Sequence, residues 1–216
     1  FFFFFLGTDR STGVRKVKAA NPAYVEYGAL PQQGKRKDID RVRELVHAGA
    51  PMTQIIEEAS SLQSIRTAEV MYKYLEPRRS WMTECHWLYG PTGTGKSHKA
   101  YELAGAEAYA PLSAQWWEGY DKHEFVVLDD IRHDWFLPLG GFVGFLKLID
   151  KYQFRVATKG GSRQFLAKKV WITAPCPPDA FWDNVTDESL AQFQRRITSV
   201  THCTTRYVAP APSTSV

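Results

Sequence analysis

The chain has 216 residues, 44% of them hydrophobic and 23% charged, the make-up of a soluble globular protein with one principal domain and a smaller appendage. Its 27 Lys and Arg against 23 Asp and Glu leave a net charge of +4 and a pI near 8.9, a balance that permits a polyanionic partner without demonstrating one. Cys85, Cys176 and Cys203 lie far apart with no C-x-x-C pair, so neither a disulfide framework nor a zinc site is indicated and a reducing intracellular compartment fits best.

Phe1 to Leu6 is apolar but short, with no basic flank, so it reads as neither a membrane span nor a signal peptide. Phe1–Phe5 reads as an odd or truncated terminus and receives no role. A strand-like Ala23-Tyr24-Val25-Glu26-Tyr27 and an exposed connector through Lys35-Arg36-Lys37 complete residues 1–37, which look like the tail of something upstream. From Asp38 the pattern turns helical. Ile39, Val42, Leu45 and Val46 keep a three- and four-residue spacing, and Met52–Ala59 and Ile65–Leu75 supply two further helical segments before Pro77. Residues 38–80 are therefore expected to form a small all-helical unit that packs on its neighbours.

The main domain is expected over 81–203. Glu84–Tyr89 reads as a strand running into Gly90-Pro91-Thr92-Gly93-Thr94-Gly95-Lys96-Ser97, with a helix leaving from His98. This is the G-x-x-x-x-G-K-[ST] phosphate loop in its required strand–loop–helix setting. The glycines turn backbone N–H groups toward a triphosphate, Lys96 reaches the β and γ oxygens, and the Ser97 hydroxyl is placed for Mg²⁺. Trp116-Trp117-Glu118-Gly119-Tyr120 is an aromatic cluster, read first as core and second as a stacking surface for nucleotides.

Phe125-Val126-Val127-Leu128-Asp129-Asp130 is an apolar run ending in two carboxylates, the signature of a buried parallel strand presenting acids at its carboxyl edge. Asp129 is assigned to the metal and Asp130 to the attacking water, with the roles exchangeable. Tyr152 to Ala167 reads as a hairpin turning at Lys159-Gly160-Gly161-Ser162, where Lys159 and Arg163, with Lys168 and Lys169, gather cations suited to a phosphate backbone. A solvated charged tip is the alternative. Val170-Trp171-Ile172-Thr173 is a third core strand. Arg195 and Arg196 fall on an expected helix over Leu190–Ile197, as an arginine finger for a neighbouring subunit or as solvated charges. Residues 204–216, rich in Ala, Pro, Ser and Thr, are expected to form a disordered tail.

Taken together, Gly90–Ser97, Trp116–Tyr120, Val126–Asp130, Thr158-Lys159-Gly160-Gly161, Ile172-Thr173 and Arg195-Arg196-Ile197-Thr198 resemble the superfamily 3 helicase part of circovirus-like replication-associated proteins. The resemblance implies an α/β fold in which an AAA+-like P-loop ATPase with a parallel sheet follows a small helical oligomerisation domain. It implies ATP and Mg²⁺, a homo-oligomer forming a hexameric ring, single-stranded DNA in the pore against Lys159, 3′-to-5′ translocation and a location in the host nucleus. No membrane association is implied. Two departures stand out: Thr173-Ala174-Pro175 replaces the family's usual Thr-Ser-Asn type sensor, leaving Thr173 to act there, and nothing before Asp38 supplies the family's paired-histidine nuclease with its tyrosine. The chain is thus expected to be a helicase fragment or a form lacking the nuclease. Competing readings are an ATP-binding assembly module without efficient turnover, an RNA helicase of the same superfamily, and a small-molecule P-loop kinase, against which the two-domain layout argues.

Overall fold

The computed structural model describes residues 36–182 and 185–208; the strand expected over Ala23–Tyr27 and the tail beyond Val208 lie outside them. Three helices come first, α1 (Lys37–His47), α2 (Met52–Glu58) and α3 (Leu62–Leu75). Their apolar stripes meet in one small core of Val42, Leu45, Val46, Ala50, Ile55, Ala68 and Tyr72. Ser61 starts α3 by accepting the Ser64 N–H at 3.2 Å, a cap that satisfies one of the orphan donors of the first turn.

Beyond them follow β1 (Glu84–Tyr89), α4 (Lys96–Ala104), β2 (Phe125–Leu128), a 3₁₀ helix at His133–Leu139, α5 (Gly141–Ile149), β3 (Arg155–Thr158), β4 (Gly161–Gln164), β5 (Lys169–Ala174), α6 (Asp187–Gln194) and β6 (Ile197–His202). Four strands form one sheet in the order β2-β5-β1-β6, parallel throughout, and Tyr109 adds a parallel bridge to Val126 on the outer side of β2. The fold is α/β with a parallel sheet. β3 and β4 pair separately as an antiparallel hairpin, as the sequence leads one to expect.

Alternation along the strands sorts the residues between two faces. Leu88, Val127 and Trp171 pack with Ala100 and Ala104 of α4. The opposite face carries Trp87, Val126, Leu128 and Ile172 against Phe136, Phe145, Phe181 and Phe193. Trp87 is the hub there, edge-on to Phe145, Phe181 and Phe193 with ring centroids 5.0 to 6.5 Å away. The fourth strand differs from the sequence expectation, in which Ile197 ended a helix. The helix stops at Gln194 and Ile197–His202 pairs along β1 instead, because its β-branched residues fit a pleated surface better than a helix.

Two side chains of the segment after α3 hold the helices to the sheet domain. The buried Glu76 carboxylate accepts Arg163 Nε at 2.9 Å and the Gln164 N–H at 2.6 Å. Arg79 donates to the carbonyls of Lys147, Leu148 and Tyr152 at 2.5 to 2.7 Å, closing the end of α5. Burial pulls its pKa down to about 10.

Candidate functional site

All four sheet strands run the same way, so their carboxyl ends share one edge, where open α/β sheets bind ligands. β1 ends there in the loop Gly90–Gly95, and α4 begins at Lys96. Two glycines make the loop possible. A Cβ at Gly90 would overlap the Cys203 carbonyl, and Gly95, at φ +73°, faces the Tyr207 side chain, which a Cβ would meet at 2.9 Å.

The loop's carbonyls are engaged. Lys96 Nζ donates to the Gly90 and Pro91 oxygens, both at 2.9 Å, Thr94 Oγ1 donates to Pro91 at 2.9 Å, and the N–H groups of Tyr207 and Lys99 reach the Gly93 and Gly95 carbonyls at 2.9 Å. The N–H groups of a helix's first turn have no intrahelical acceptor and carry the positive end of its dipole. At the start of α4 this is a cradle suited to an anion, with the Lys96 ammonium folded over its rim.

β5 lies between β1 and β2, and this places Thr173. In register, Thr173 stands beside Leu88 of β1 and one step past Ile172, the partner of Leu128. The first residue after β2 is therefore level with it. Thr173 Oγ1 donates to Asp129 Oδ1 at 2.7 Å and accepts the Asp130 N–H at 2.6 Å. By alternation Thr173 and Asp129 belong to the α4 face, the side of Lys96 and Ser97. The Tyr101 phenol on α4 records the neighbourhood: its pKa is raised by burial and then by the Asp129 carboxylate. Asp130 takes the left-handed conformation, φ 47°, and its carboxylate meets Arg132 at 3.0 Å in the open.

The groups present fit a triphosphate with Mg²⁺. The cradle excludes side chains at Gly90 and Gly95, and the Ser97 hydroxyl and Asp129 are the hard oxygen donors that cation takes. Among the described residues no group of three or more His, Cys, Asp or Glu could hold a metal alone.

The expected basic hairpin divides in two. Lys159 stands exposed at the turn, and its N–H donates to Glu118 Oε1 at 2.5 Å; with the Trp117 N–H on the Ala157 carbonyl at 2.9 Å, the aromatic segment holds the hairpin from beneath. Trp117 and Tyr120 are fully buried and belong to the core. Arg163 is turned away from the tip. Its guanidinium meets Glu76 at 2.8 Å and Asp121 at 2.7 Å and lies 4.8 Å from the Tyr72 ring. Burial lowers the Arg163 pKa, but the two carboxylates outweigh it and leave the charge more firmly held. Lys168 pairs with Glu124 at 2.6 Å in the loop before β5, apart from the turn. A hollow of about 530 Å³ separates the hairpin from α2 and α3, bordered by Ile56, Val70, Lys73 and Lys159.

The arginine pair also separates. Arg196 Nη2 is held by Asp150 at 2.9 Å and its Nη1 by the Gln192 carbonyl at 2.9 Å, whereas Arg195 is exposed. Sequence reasoning missed one part of this edge. Residues 204–208, expected to belong to the tail, include Tyr207, which sits on the loop and whose only sequence signal is an isolated aromatic after β6.

Residues 86–176 match the family model described as RNA helicase. The chain is 32% identical over 202 residues to the replication-associated protein of Porcine circovirus 2, covering 90% of this chain and 62% of that protein. With the replication-associated protein of Goose circovirus the identity is 32%, covering 88% and 63%, and with that of Human associated cyclovirus 1 it is 30%, covering 81% and 64%. The chain thus spans a little under two thirds of the length of these relatives. Among solved structures, "S. cerevisiae Hsp104-ADP complex" aligns over 90% of this chain and 38% of that chain at 13% identity and a TM-score of 0.32, a likeness too remote to add to the strand order.

Proposed function

The chain carries a helicase region related to that of the circovirus replication-associated proteins, and from that premise we propose that it binds ATP with Mg²⁺ at Gly90–Ser97 and hydrolyses it to move along single-stranded DNA. The observation that supports the reading is the bond from Thr173 to Asp129, which fixes a carboxylate at the sheet edge from which the phosphate loop springs. Lys96, swung from the Gly90 and Pro91 carbonyls, stabilises charge developing on the β and γ phosphates. Ser97 and Asp129 hold the metal, which when bound neutralises phosphate charge. Asp130 orients the attacking water, and Thr173 fixes the Asp129 carboxylate and the Asp130 backbone.

In this reading sites lie between subunits of a ring. Arg195 is the better finger, because the Arg196 fork is already committed to Asp150 and Gln192. Lys159 is the pore contact; Arg163 braces the hairpin behind it, and Lys168 lies off the path.

The test is phosphate release by the purified chain with and without single-stranded DNA, with Lys96→Ala as control. Stimulation by DNA that vanishes in the variant supports a translocating motor; ATP binding without turnover in either condition returns the assembly-module reading. The family model's description as an RNA helicase favours one second reading, with RNA as the strand. An arm with single-stranded RNA decides between them, since backbone-gripping cations do not distinguish the sugars without a 2′-OH contact.

A further inference from the structure

Past His202 the chain does not leave the sheet edge. The Cys203 N–H donates to the Tyr89 carbonyl at 2.8 Å, prolonging the β6–β1 pairing, and the Tyr207 N–H then donates to the Gly93 carbonyl at 2.9 Å. Between these bonds the chain forms a strap over the outer side of the phosphate loop. The Tyr207 ring rests on Gly95, where a Cβ would meet its Cβ, Cγ and Cδ2 at 2.9 Å. Its other neighbour is the His98 ring on the first turn of α4, with centroids 4.5 Å apart and planes 33° from parallel.

Three features give this arrangement a purpose beyond packing. Tyr207 retains 37% of its surface, so its side chain is not shut into the core. The strap grips the loop through the Gly93 carbonyl and so takes up none of the loop's N–H groups. And His98 follows Lys96 and Ser97 directly, so the ring pair stands one residue from the groups that would hold phosphates. An aromatic pair beside the loop is the kind of surface on which a base stacks.

We propose that Tyr207, backed by His98, is the platform on which the base of the bound nucleotide stacks, so that the strap sets affinity for the nucleoside while the loop sets affinity for the phosphates. The proposal rests on the reading of Gly90–Ser97 as a triphosphate site. Stacking needs only a π-face, so the larger purines bind more tightly than pyrimidines here.

The test displaces a ribose-labelled fluorescent ATP from the full chain with ATP, UTP or inorganic tripolyphosphate, in the wild type and in Tyr207→Ala, Tyr207→Phe and Lys96→Ala. The expected result is that Tyr207→Ala weakens ATP about tenfold, narrows the ATP-over-UTP preference and leaves tripolyphosphate unchanged, while Tyr207→Phe stays within about twofold of wild type. Equal weakening of ATP and tripolyphosphate by Tyr207→Ala would make the strap a brace for the loop and overturn the proposal. Tighter binding of both would make Tyr207 a plug and overturn it equally. Lys96→Ala reports on the other reading: if it leaves ATP and tripolyphosphate unaffected, the phosphate-loop assignment fails whatever Tyr207 does.

Discussion

Thr173 joins the two acids of the site through one oxygen, donating to Asp129 at 2.7 Å while accepting the Asp130 N–H at 2.6 Å. The residue is fully buried, so Thr173→Val leaves a backbone donor without its acceptor at a cost of about 1–3 kcal/mol. Thr173→Ser keeps the hydroxyl. We expect Thr173→Val to lower phosphate release by about tenfold or more with ATP affinity little changed, and Thr173→Ser to recover most of the rate. Parallel losses of rate and affinity in Thr173→Val would show that the threonine shapes the loop and not the acids.

Lys96 provides the complementary case. Its two bonds are to carbonyls of its own loop, so its removal costs the fold little. Lys96→Ala should melt within about 2 °C of wild type, since only exposed or half-exposed bonds are lost, and release no phosphate above background. Chelating Mg²⁺ in the wild type should likewise stop release. A variant that still turned over ATP would place the chemistry elsewhere.

The hairpin cations should separate by experiment as they do in space. Arg163→Ala leaves Glu76 and Asp121 facing one another in a buried setting, a break expected to cost about 3–5 kcal/mol and to be visible as a large drop in melting temperature. Lys159→Ala should leave the melt and DNA-free hydrolysis intact and remove most of the stimulation by single-stranded DNA. Comparable stimulation in Lys159→Ala and wild type would remove the turn from the DNA path.

The hairpin, the three helices and the phosphate loop could be read from sequence because each has a local signature: a Gly-Gly turn, a helical stripe, a run of fixed residues. What escaped depends on neighbours distant in sequence. Ile197–His202 has only Ile197 and Val200 as apolar residues, three apart, and is partly exposed, and only β1 beside it makes it a strand. Arg163 looks like Lys159 on paper; Glu76, 87 residues away, claims it. Tyr207 follows β6 toward a segment rich in Ala, Pro and Ser, and its place is set by a carbonyl at Gly93 and a glycine surface at Gly95. Composition argues against order there, and two backbone bonds override it.

A final expectation concerns acid. His123 Nδ1 accepts the Asp121 N–H at 3.1 Å, and its ring lies among Tyr109 and Tyr120. Burial is the first cause that lowers its pKa below the ordinary 6.5, Asp121 and Glu107 opposing and Arg163 adding to it. Burial likewise lowers His86. Because the unfolded chain takes up these protons first, stability is complete above the ordinary value and declines as the pH falls from there toward the depressed folded values. Protonation at Nδ1 would also turn the acceptor of the Asp121 N–H into a donor. We therefore expect the melting temperature to fall between about pH 7 and pH 5, and to fall less in His123→Asn, which keeps an acceptor but does not titrate. An equal fall in both would assign the acid sensitivity to other groups, His86 first among them; Asp150 is not one, because burial raises its pKa but the bonds from Arg196 and the Lys151 N–H bring it below the ordinary carboxylate value, so its share is lost only at lower pH.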